Sequence, residues 1–202
     1  MIIDLGCIQG RLSTTPSKKI LQYFPQKNWR REFTLANKLK LNYIEYFGER
    51  IFNKKNPIWN QNSLIQINRL AKKNNLYNYS FCDDYFINHN FINYKHFDNY
   101  YNEIINNLSI LKIKIYVLAL FEKSFIDRNN FNKFVNRLKI LSDNLKKKNI
   151  KLALETNLEV KTILKLIKFT KSKNIFVVYD TGNRLKKKNL QYNEILQLNE
   201  KI

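Results

Sequence analysis

The stretches Lys151-Leu-Ala-Leu-Glu155 and Ile175-Phe-Val-Val-Tyr-Asp180-Thr-Gly-Asn183 decide the fold class of this 202-residue chain. Each is a short apolar run that ends in an acid, and one helix-length segment separates them. Strands joined through a helix are parallel, and neighbouring strands lie about 4.8 Å apart. We therefore expect Glu155 and Asp180 at the same end of two adjacent strands, where they can bind one divalent cation or one substrate.

The same alternation extends along the whole chain. Strands are predicted at Ile2–Ile8, Asn42–Phe47, Tyr77–Phe81, Ile113–Phe121, Ile150–Glu155 and Ile175–Tyr179. Helices are predicted at Trp29–Leu39, Ser63–Asn74, Phe97–Leu111, Phe131–Lys148, Val160–Lys171 and Tyr192–Lys201. Strands that alternate with amphipathic helices indicate a parallel sheet covered by helices, and the nearly continuous apolar strands are typical of burial on both faces.

Two parallel architectures fit this alternation. A doubly wound sheet usually carries a glycine-rich phosphate turn after its first strand, and the segment Gly6–Arg11 lacks the third glycine. The pattern therefore favours an α/β fold of the (β/α)8 TIM-barrel type with only about six βα units. Residues 1–202 are predicted to be a single, incomplete barrel domain in which strands 7 and 8 are missing.

Composition sets further limits on function. The formal charge of +20 is consistent with a nucleic-acid partner, but the lysines are spread over helices and loop ends, with dense runs at Lys146–Lys148 and Lys186–Lys188. This spread favours a solvated surface and disfavours nucleic acid. The apolar run Ile115–Phe121 is too short to cross a membrane. Cys7 and Cys82 have no partner spacing for zinc, and reduced thiols are consistent with a cytoplasmic protein.

Short motifs in chain order give the sequence a family resemblance. They are Gly6-Cys7-Ile8-Gln9-Gly10-Arg11-Leu12, Phe24-Pro25, Asn28-Trp29-Arg30-Arg31-Glu32-Phe33, Asn42-Tyr43-Ile44-Glu45, Cys82-Asp83-Asp84-Tyr85-Phe86, Leu154-Glu155-Thr156 and Tyr179-Asp180-Thr181-Gly182-Asn183. Together they resemble the sugar phosphate isomerase/epimerase family of xylose isomerase-like TIM barrels, over the length of the chain.

The resemblance implies a divalent metal at the C-terminal mouth of the barrel. Its ligands in the family are a Glu after the fifth strand, an Asp after the sixth, a His after the seventh and a Glu after the eighth. Glu155 and Asp180 match the first two, and the other two would fall beyond Ile202. Oxygen ligands suit Mg²⁺ or Mn²⁺, and an added His would extend the choice to Co²⁺ or Zn²⁺.

Glu155 is also the predicted catalytic residue. Moving a proton next to a sugar carbonyl creates an ene-diolate, whose charge a metal stabilises while a carboxylate transfers the proton. The alternative for both Glu155 and Asp180 is an acid at a strand end that caps the following helix. The Gly two residues after Asp180 indicates a shaped turn, which favours the ligand role there.

The same motifs supply five candidate substrate-binding residues, which are Gln9, Arg11, Glu45, Asp84 and Asn183. Arg11 offers a planar fork for a phosphate or carboxylate, with an ion pair to Glu45 as its alternative. Glu45 lies inside a strand, so it must point into the barrel and be paired, a structural role first. Asp84 is expected to fix its loop or contact substrate, and Asn183 to bind a sugar hydroxyl or form a turn.

These observations predict a metal-dependent isomerase or epimerase that acts on a sugar or sugar phosphate. One alternative is a catalytically inactive, truncated barrel. A second alternative, a metal-dependent nuclease like the apurinic endonucleases, is disfavoured because the chain has two His and neither follows a strand in the required place. Open sheet edges also leave a homo-oligomer as an option.

Overall fold

The computed structural model describes residues 4–15, 22–184 and 191–202, which form one parallel sheet covered by helices. The strands run in the order β1 to β6, and each pairs with the next in parallel. They are β1 (Gly6–Ile8), β2 (Tyr43–Gly48), β3 (Ser80–Asp83), β4 (Ile115–Ala119), β5 (Lys151–Glu155) and β6 (Ile175–Val177). Within the described residues, β1 and β6 are the two edges of this sheet.

Helices connect successive strands. They are α1 (Trp29–Lys38), α2 (Gln61–Lys73), α3 (Tyr85–Asn88), α4 (Phe97–Ile110), α5 (Phe131–Lys147), α6 (Val160–Thr170) and α7 (Gln191–Leu198). Short 3-10 turns lie at Pro57–Trp59, Glu122–Ser124 and Asn199–Lys201. None of the helices described is long and apolar enough to cross a membrane.

The predicted strands and helices are present, and their ends differ by a few residues. β3 begins at Ser80, later than predicted, although Tyr77 makes an isolated parallel bridge to Tyr43. β6 ends at Val177, earlier than predicted, so Asp180 lies beyond the end of the strand. The start of the predicted first strand and the run Lys186–Lys188 lie outside the described residues.

Side chains on the two faces of the sheet form two separate clusters. Large residues such as Phe81, Tyr116 and Leu152 face the helices and form the main core. The alternate residues Cys82, Val117 and Ala153 form a small cluster on the opposite face. Because successive side chains of a strand point to opposite faces, this second face is the inner side of the barrel.

Left-handed backbone marks the ends of the main helices. Lys40, Lys112 and Lys171 have φ of 58°, 58° and 55° in the residues that follow α1, α4 and α6. Asn75 and Asn149 have the same conformation after α2 and α5. Glycine is the usual residue at such positions because a side chain destabilises left-handed backbone. This glycine-poor chain uses Lys and Asn instead.

We expect Lys171→Gly to raise the free energy of unfolding by about 0.5–1 kcal/mol, because it removes the steric cost of a side chain at φ 55°. Urea unfolding followed by circular dichroism measures the change. The matched control is Lys173→Gly, two residues away and without positive φ. It should lower stability slightly, and an equal gain in both variants would contradict the explanation.

Candidate functional site

A cleft of about 780 Å³ lies at the carboxyl ends of the strands. Six of the seven site residues predicted from sequence line it, and they are Arg11, Glu45, Asp84, Glu155, Asp180 and Asn183. The seventh, Gln9, is buried and lies outside this lining. The parallel register brings these residues together from β1, β2, β3, β5 and β6, because every strand presents the same end to the cleft.

Glu155 and Asp180 occupy neighbouring positions in this cleft. Glu155 is the last residue of β5, and Asp180 begins the turn after β6. The Oδ1 atom of Asp180 accepts hydrogen bonds from the backbone N–H groups of Gly182 (2.7 Å) and Asn183 (3.2 Å). The Asn183 amide in turn donates to Oε1 of Glu155 at 3.3 Å. The turn thus orients Asn183 toward Glu155.

The electrostatic environment of Glu155 favours its protonated form. Its pKa is raised to about 7, mainly because burial disfavours the carboxylate. The negative charges of Asp84, Asp180 and Glu45 add to the rise, and the Asn183 hydrogen bond opposes it. A carboxyl group with a pKa near neutrality can both accept and return a proton.

Asp84 and Glu45 complete the acidic wall of the cleft. The pKa of each is raised, first by burial. Arg50 partly offsets this effect at Asp84, and Arg50 itself pairs across the cleft with Glu122 at 2.9 Å. No sequence motif singled out Arg50. No ion pair joins Arg11 to Glu45 within the described residues, so Arg11 extends an exposed guanidinium into the cleft.

The loop that carries Arg11 is held by Glu32 of α1. The buried Glu32 carboxylate accepts from the N–H groups of Gly10, at 3.0 and 3.1 Å, and of Leu12, at 3.2 Å. Gly10 has φ +95°, and a Cβ atom there would lie 2.2 Å from the carbonyl oxygen of Tyr23. The position therefore requires glycine, and the Glu32 contacts fix the backbone on both sides of Arg11.

Glu32→Ala is expected to lower the free energy of unfolding by about 2 kcal/mol, because it leaves two backbone N–H groups without their acceptor. Glu32→Gln retains one acceptor oxygen and should lose less. Urea denaturation of both variants tests this order. Equal stability of the alanine variant and the parent would contradict the role assigned to the carboxylate.

An ion pair missed by sequence inspection anchors the Asp180 turn. Arg184 Nη1 lies 3.0 Å from Glu194 Oε1, and the pair is almost fully buried. The Arg184 guanidinium also donates to the carbonyl of Leu158 at 3.0 Å, and Tyr179 donates its hydroxyl to Glu194 at 2.8 Å. These contacts connect the turn after β6 to α7 and to the loop after β5. Glu194 follows Arg184 by ten residues, a spacing that carries no recognisable motif.

The donor set suits some metals better than others. In the part of the chain that the structure describes, no group of three or more His, Cys, Asp or Glu residues is arranged to hold a metal ion. Zn²⁺ sites use at least three protein ligands, whereas Mg²⁺ is bound through one or two carboxylates with water or substrate oxygens. Glu155 and Asp180 therefore fit Mg²⁺ or Mn²⁺, and they do not by themselves fit Zn²⁺ or Co²⁺.

Comparison with known proteins rests on structure. No protein-family model and no curated protein sequence matches the chain. A D-psicose 3-epimerase with D-tagatose, from Clostridium cellulolyticum H10, is similar with a TM-score of 0.77 and 12% identity, over 99% of this chain and 71% of that one. A xylose isomerase-like TIM barrel protein from Mycobacterium smegmatis, in complex with magnesium, gives 0.70 and 10%, over 96% and 71%. A family 2 AP endonuclease from Brucella melitensis gives 0.66 and 14%, over 99% and 77%.

These similarities define the class of the protein by its fold. The chain has the xylose isomerase-like TIM-barrel fold, which confirms the fold predicted from its sequence motifs. It spans 65% of the length of another D-psicose 3-epimerase and 77% of the length of the Brucella melitensis endonuclease. Epimerases and an endonuclease share this fold, so the activity must be argued from the cleft.

Proposed function

We propose that this chain is a sugar or sugar-phosphate isomerase or epimerase that transfers a proton at a carbon next to a carbonyl group. The observation that carries the proposal is the pairing of Glu155 with Asp180 in a cleft at the carboxyl ends of the strands. Solved structures of the same fold that are named as D-psicose 3-epimerases support the choice of reaction class.

Several residues of the cleft have a role in this reaction. Glu155 removes or returns the proton, since its pKa of about 7 lets it exchange protons at neutral pH. Asn183 orients the Glu155 carboxyl group through the 3.3 Å hydrogen bond and offers its amide to a sugar hydroxyl. Arg11 and Arg50 line the same cleft and attract an anionic group of the substrate.

A divalent cation would be held by Glu155 and Asp180. When bound, Mg²⁺ or Mn²⁺ stabilises the negative charge that develops on the substrate oxygens. It would also offset the repulsion among Glu155, Asp180 and Asp84, which adds to the effect of burial on the pKa of Glu155.

The nuclease alternative has weaker support. Of the two histidines, His89 stacks on Tyr85 with ring centroids 3.9 Å apart, and its Nδ1 lies 2.9 Å from the Tyr85 carbonyl oxygen. Neither His89 nor His96 lines the cleft. The arrangement of the cleft therefore favours carboxylate chemistry.

Proton exchange in D₂O tests the proposal directly. The 202-residue protein would be incubated with a panel of ketoses and ketose phosphates, with Mn²⁺, with Mg²⁺ or with EDTA, and followed by proton NMR. We expect deuterium to enter at the carbon next to the carbonyl of at least one sugar. Asp180→Asn should abolish this exchange, and Glu103→Gln, which removes an exposed acid on α4, should preserve it.

Calorimetric titration with Mn²⁺ tests whether Glu155 and Asp180 bind the metal, and it helps to distinguish an active enzyme from an inactive barrel. Binding that is lost in both Glu155→Gln and Asp180→Asn supports the proposed ligands. Absence of both metal binding and proton exchange would contradict the proposal and favour an inactive barrel.

A further inference from the structure

Exposed lysines lie close together at the end of the sheet opposite the cleft. The helix-to-strand connections at residues 38–42, 72–79, 111–114, 146–151 and 171–174 precede β2 to β6. In a parallel sheet all of these connections lie at the N-terminal edge. Together they carry twelve exposed lysines and no acid, and we call this surface the lysine face. Asp4, before β1, is an acid at the same end.

Helix ends account for part of this arrangement. Lysines in the last turn of α1, α2 and α5 are favoured there by the helix dipole. That effect does not explain Lys114 or Lys173, which lie beyond the helices, and α4 has no basic residue in its last turn. Lys112 has a left-handed backbone conformation, and a side chain at such a position lowers the stability of the folded protein.

The lysine face and a cluster of acids therefore lie at opposite ends of the sheet. Glu45, Asp84, Glu122, Glu155 and Asp180 line the cleft at one end. Glu32 and Asp83 are buried. Twelve of the 36 Lys and Arg residues lie on the lysine face, which gives it a positive field on the side away from the cleft.

A groove with aromatic walls opens within the lysine face. It has a volume of about 620 Å³, and Tyr77, Tyr79, Asn78, Lys112 and Lys114 are among its lining residues. The ring centroid of Tyr79 lies 5.8 Å from that of Tyr77 and 4.9 Å from that of Tyr43. Tyr77 is 38% exposed, so part of its ring is open to solvent, while its hydroxyl group interacts with the carboxylate of Asp4.

The groove is also rigid. The Asn78 amide donates to Asn68 Oδ1 at 2.7 Å and to the carbonyl of Leu111 at 3.0 Å, and its oxygen accepts from the Tyr46 hydroxyl. These hydrogen bonds fix the position of Asn78 in the groove. Exposed aromatic rings beside lysines are the combination that binds single-stranded nucleic acid, since bases stack on the rings and phosphates pair with the lysines.

We infer that the lysine face binds single-stranded nucleic acid, with a base against Tyr77 and phosphates on Lys112, Lys114 and their neighbours. This function is separate from the chemistry proposed for the cleft, because the two surfaces occupy opposite ends of the sheet. The spread of lysines along the sequence suggested an ordinary solvated surface, and the sheet topology brings them together.

Fluorescence anisotropy with dye-labelled 20-nucleotide oligo-U and oligo-dT tests the inference. The variant Lys112→Gln/Lys114→Gln/Lys148→Gln should bind at least about tenfold more weakly in 100 mM NaCl, and its slope of log K against log salt should be about two units shallower. Tyr77→Ala, which leaves the charge unchanged, should weaken binding by about fivefold or more through lost stacking.

The matched control removes the same charge at the cleft end. Lys54→Gln/Lys55→Gln/Lys123→Gln changes three exposed lysines outside the lysine face and should bind nearly as well as the parent. Equal loss in both triple variants would overturn the inference, because it would show a response to net charge alone. Absence of oligonucleotide binding would also overturn it. Binding to phosphatidylserine vesicles without binding to oligonucleotides would assign the face to a membrane surface instead, since Leu39 and Ile110 are exposed at this end.

Discussion

Glu155→Gln is expected to lower the proposed proton-transfer activity by at least about 100-fold while raising the free energy of unfolding of the metal-free protein by about 2 kcal/mol at pH 8. The loss of activity follows because an amide cannot exchange a proton at neutral pH. The gain in stability follows because the parent carboxylate is buried and faces three other acids. Opposite effects on activity and stability are typical of a residue selected for chemistry.

The pH dependence of this gain has a definite sign. The pKa of Glu155 is raised from 4.5 to about 7 on folding, so the folded protein binds the proton more tightly than the unfolded chain. The parent therefore loses stability as the pH rises from about 4.5 to about 7, and the deficit remains above pH 7. The stability difference between Glu155→Gln and the parent should grow over the same interval.

Urea unfolding in EDTA at pH 5 and pH 8 measures both values. Glu103→Gln removes an exposed acid of the same type and should show no such growth. A Glu155→Gln variant less stable than the parent at pH 8 would contradict the account of repulsion in the cleft. Unchanged activity would contradict the catalytic role.

Asp83→Ala is expected to lower the free energy of unfolding by about 4 kcal/mol, since it removes the acceptor at the centre of a buried polar network. The Asp83 carboxyl group is fully buried and accepts hydrogen bonds from the hydroxyls of Tyr100, at 3.0 Å, and of Tyr116. It also accepts from the backbone N–H of Tyr85 at 3.0 Å. The network joins β3, β4, α3 and α4 directly beside Asp84, so its loss should also displace the cleft wall.

Asp83→Asn tests the electrostatic part of this network. Burial raises the pKa of Asp83 from 3.8 to about 7, and its three hydrogen bonds only partly oppose the rise. A raised pKa in the folded state means that stability falls as the pH rises from about 4 to about 7. Asp83→Asn should flatten this decline, and it should be more stable than Asp83→Ala at every pH.

The measurement is urea unfolding of both Asp83 variants between pH 5 and pH 8. Asp98→Asn, an exposed acid in the first turn of α4, is the control and should leave the slope with pH unchanged. A parent protein whose stability rises with pH over this interval, or an Asp83→Asn variant with the same slope as the parent, would contradict the assignment.

The hydrogen bonds of Glu32 and Asp83 could not be predicted from the sequence, because no periodic spacing relates the residues that they join. Glu32 accepts from Gly10 across twenty-two residues, and the Asp83 network draws tyrosines from two other elements. The sequence predicts an ion pair with Glu45 as an alternative for Arg11. In the structure Arg11 lines the cleft without that ion pair. Gln9 follows β1 as Arg11 does, yet its side chain is buried and lies outside the lining of the cleft.

The sequence by itself determined the order of strands and helices, the parallel sheet and the position of Glu155 and Asp180 at adjacent strand ends. These features follow from hydrophobic periodicity, which is local and survives without knowledge of the packing. Only the tertiary structure decided which acids share the cleft, how far their pKa values rise and that twelve lysines meet at the opposite end. Burial and electrostatic interaction depend on distance in space, and the chain sets that distance only when the sheet has formed.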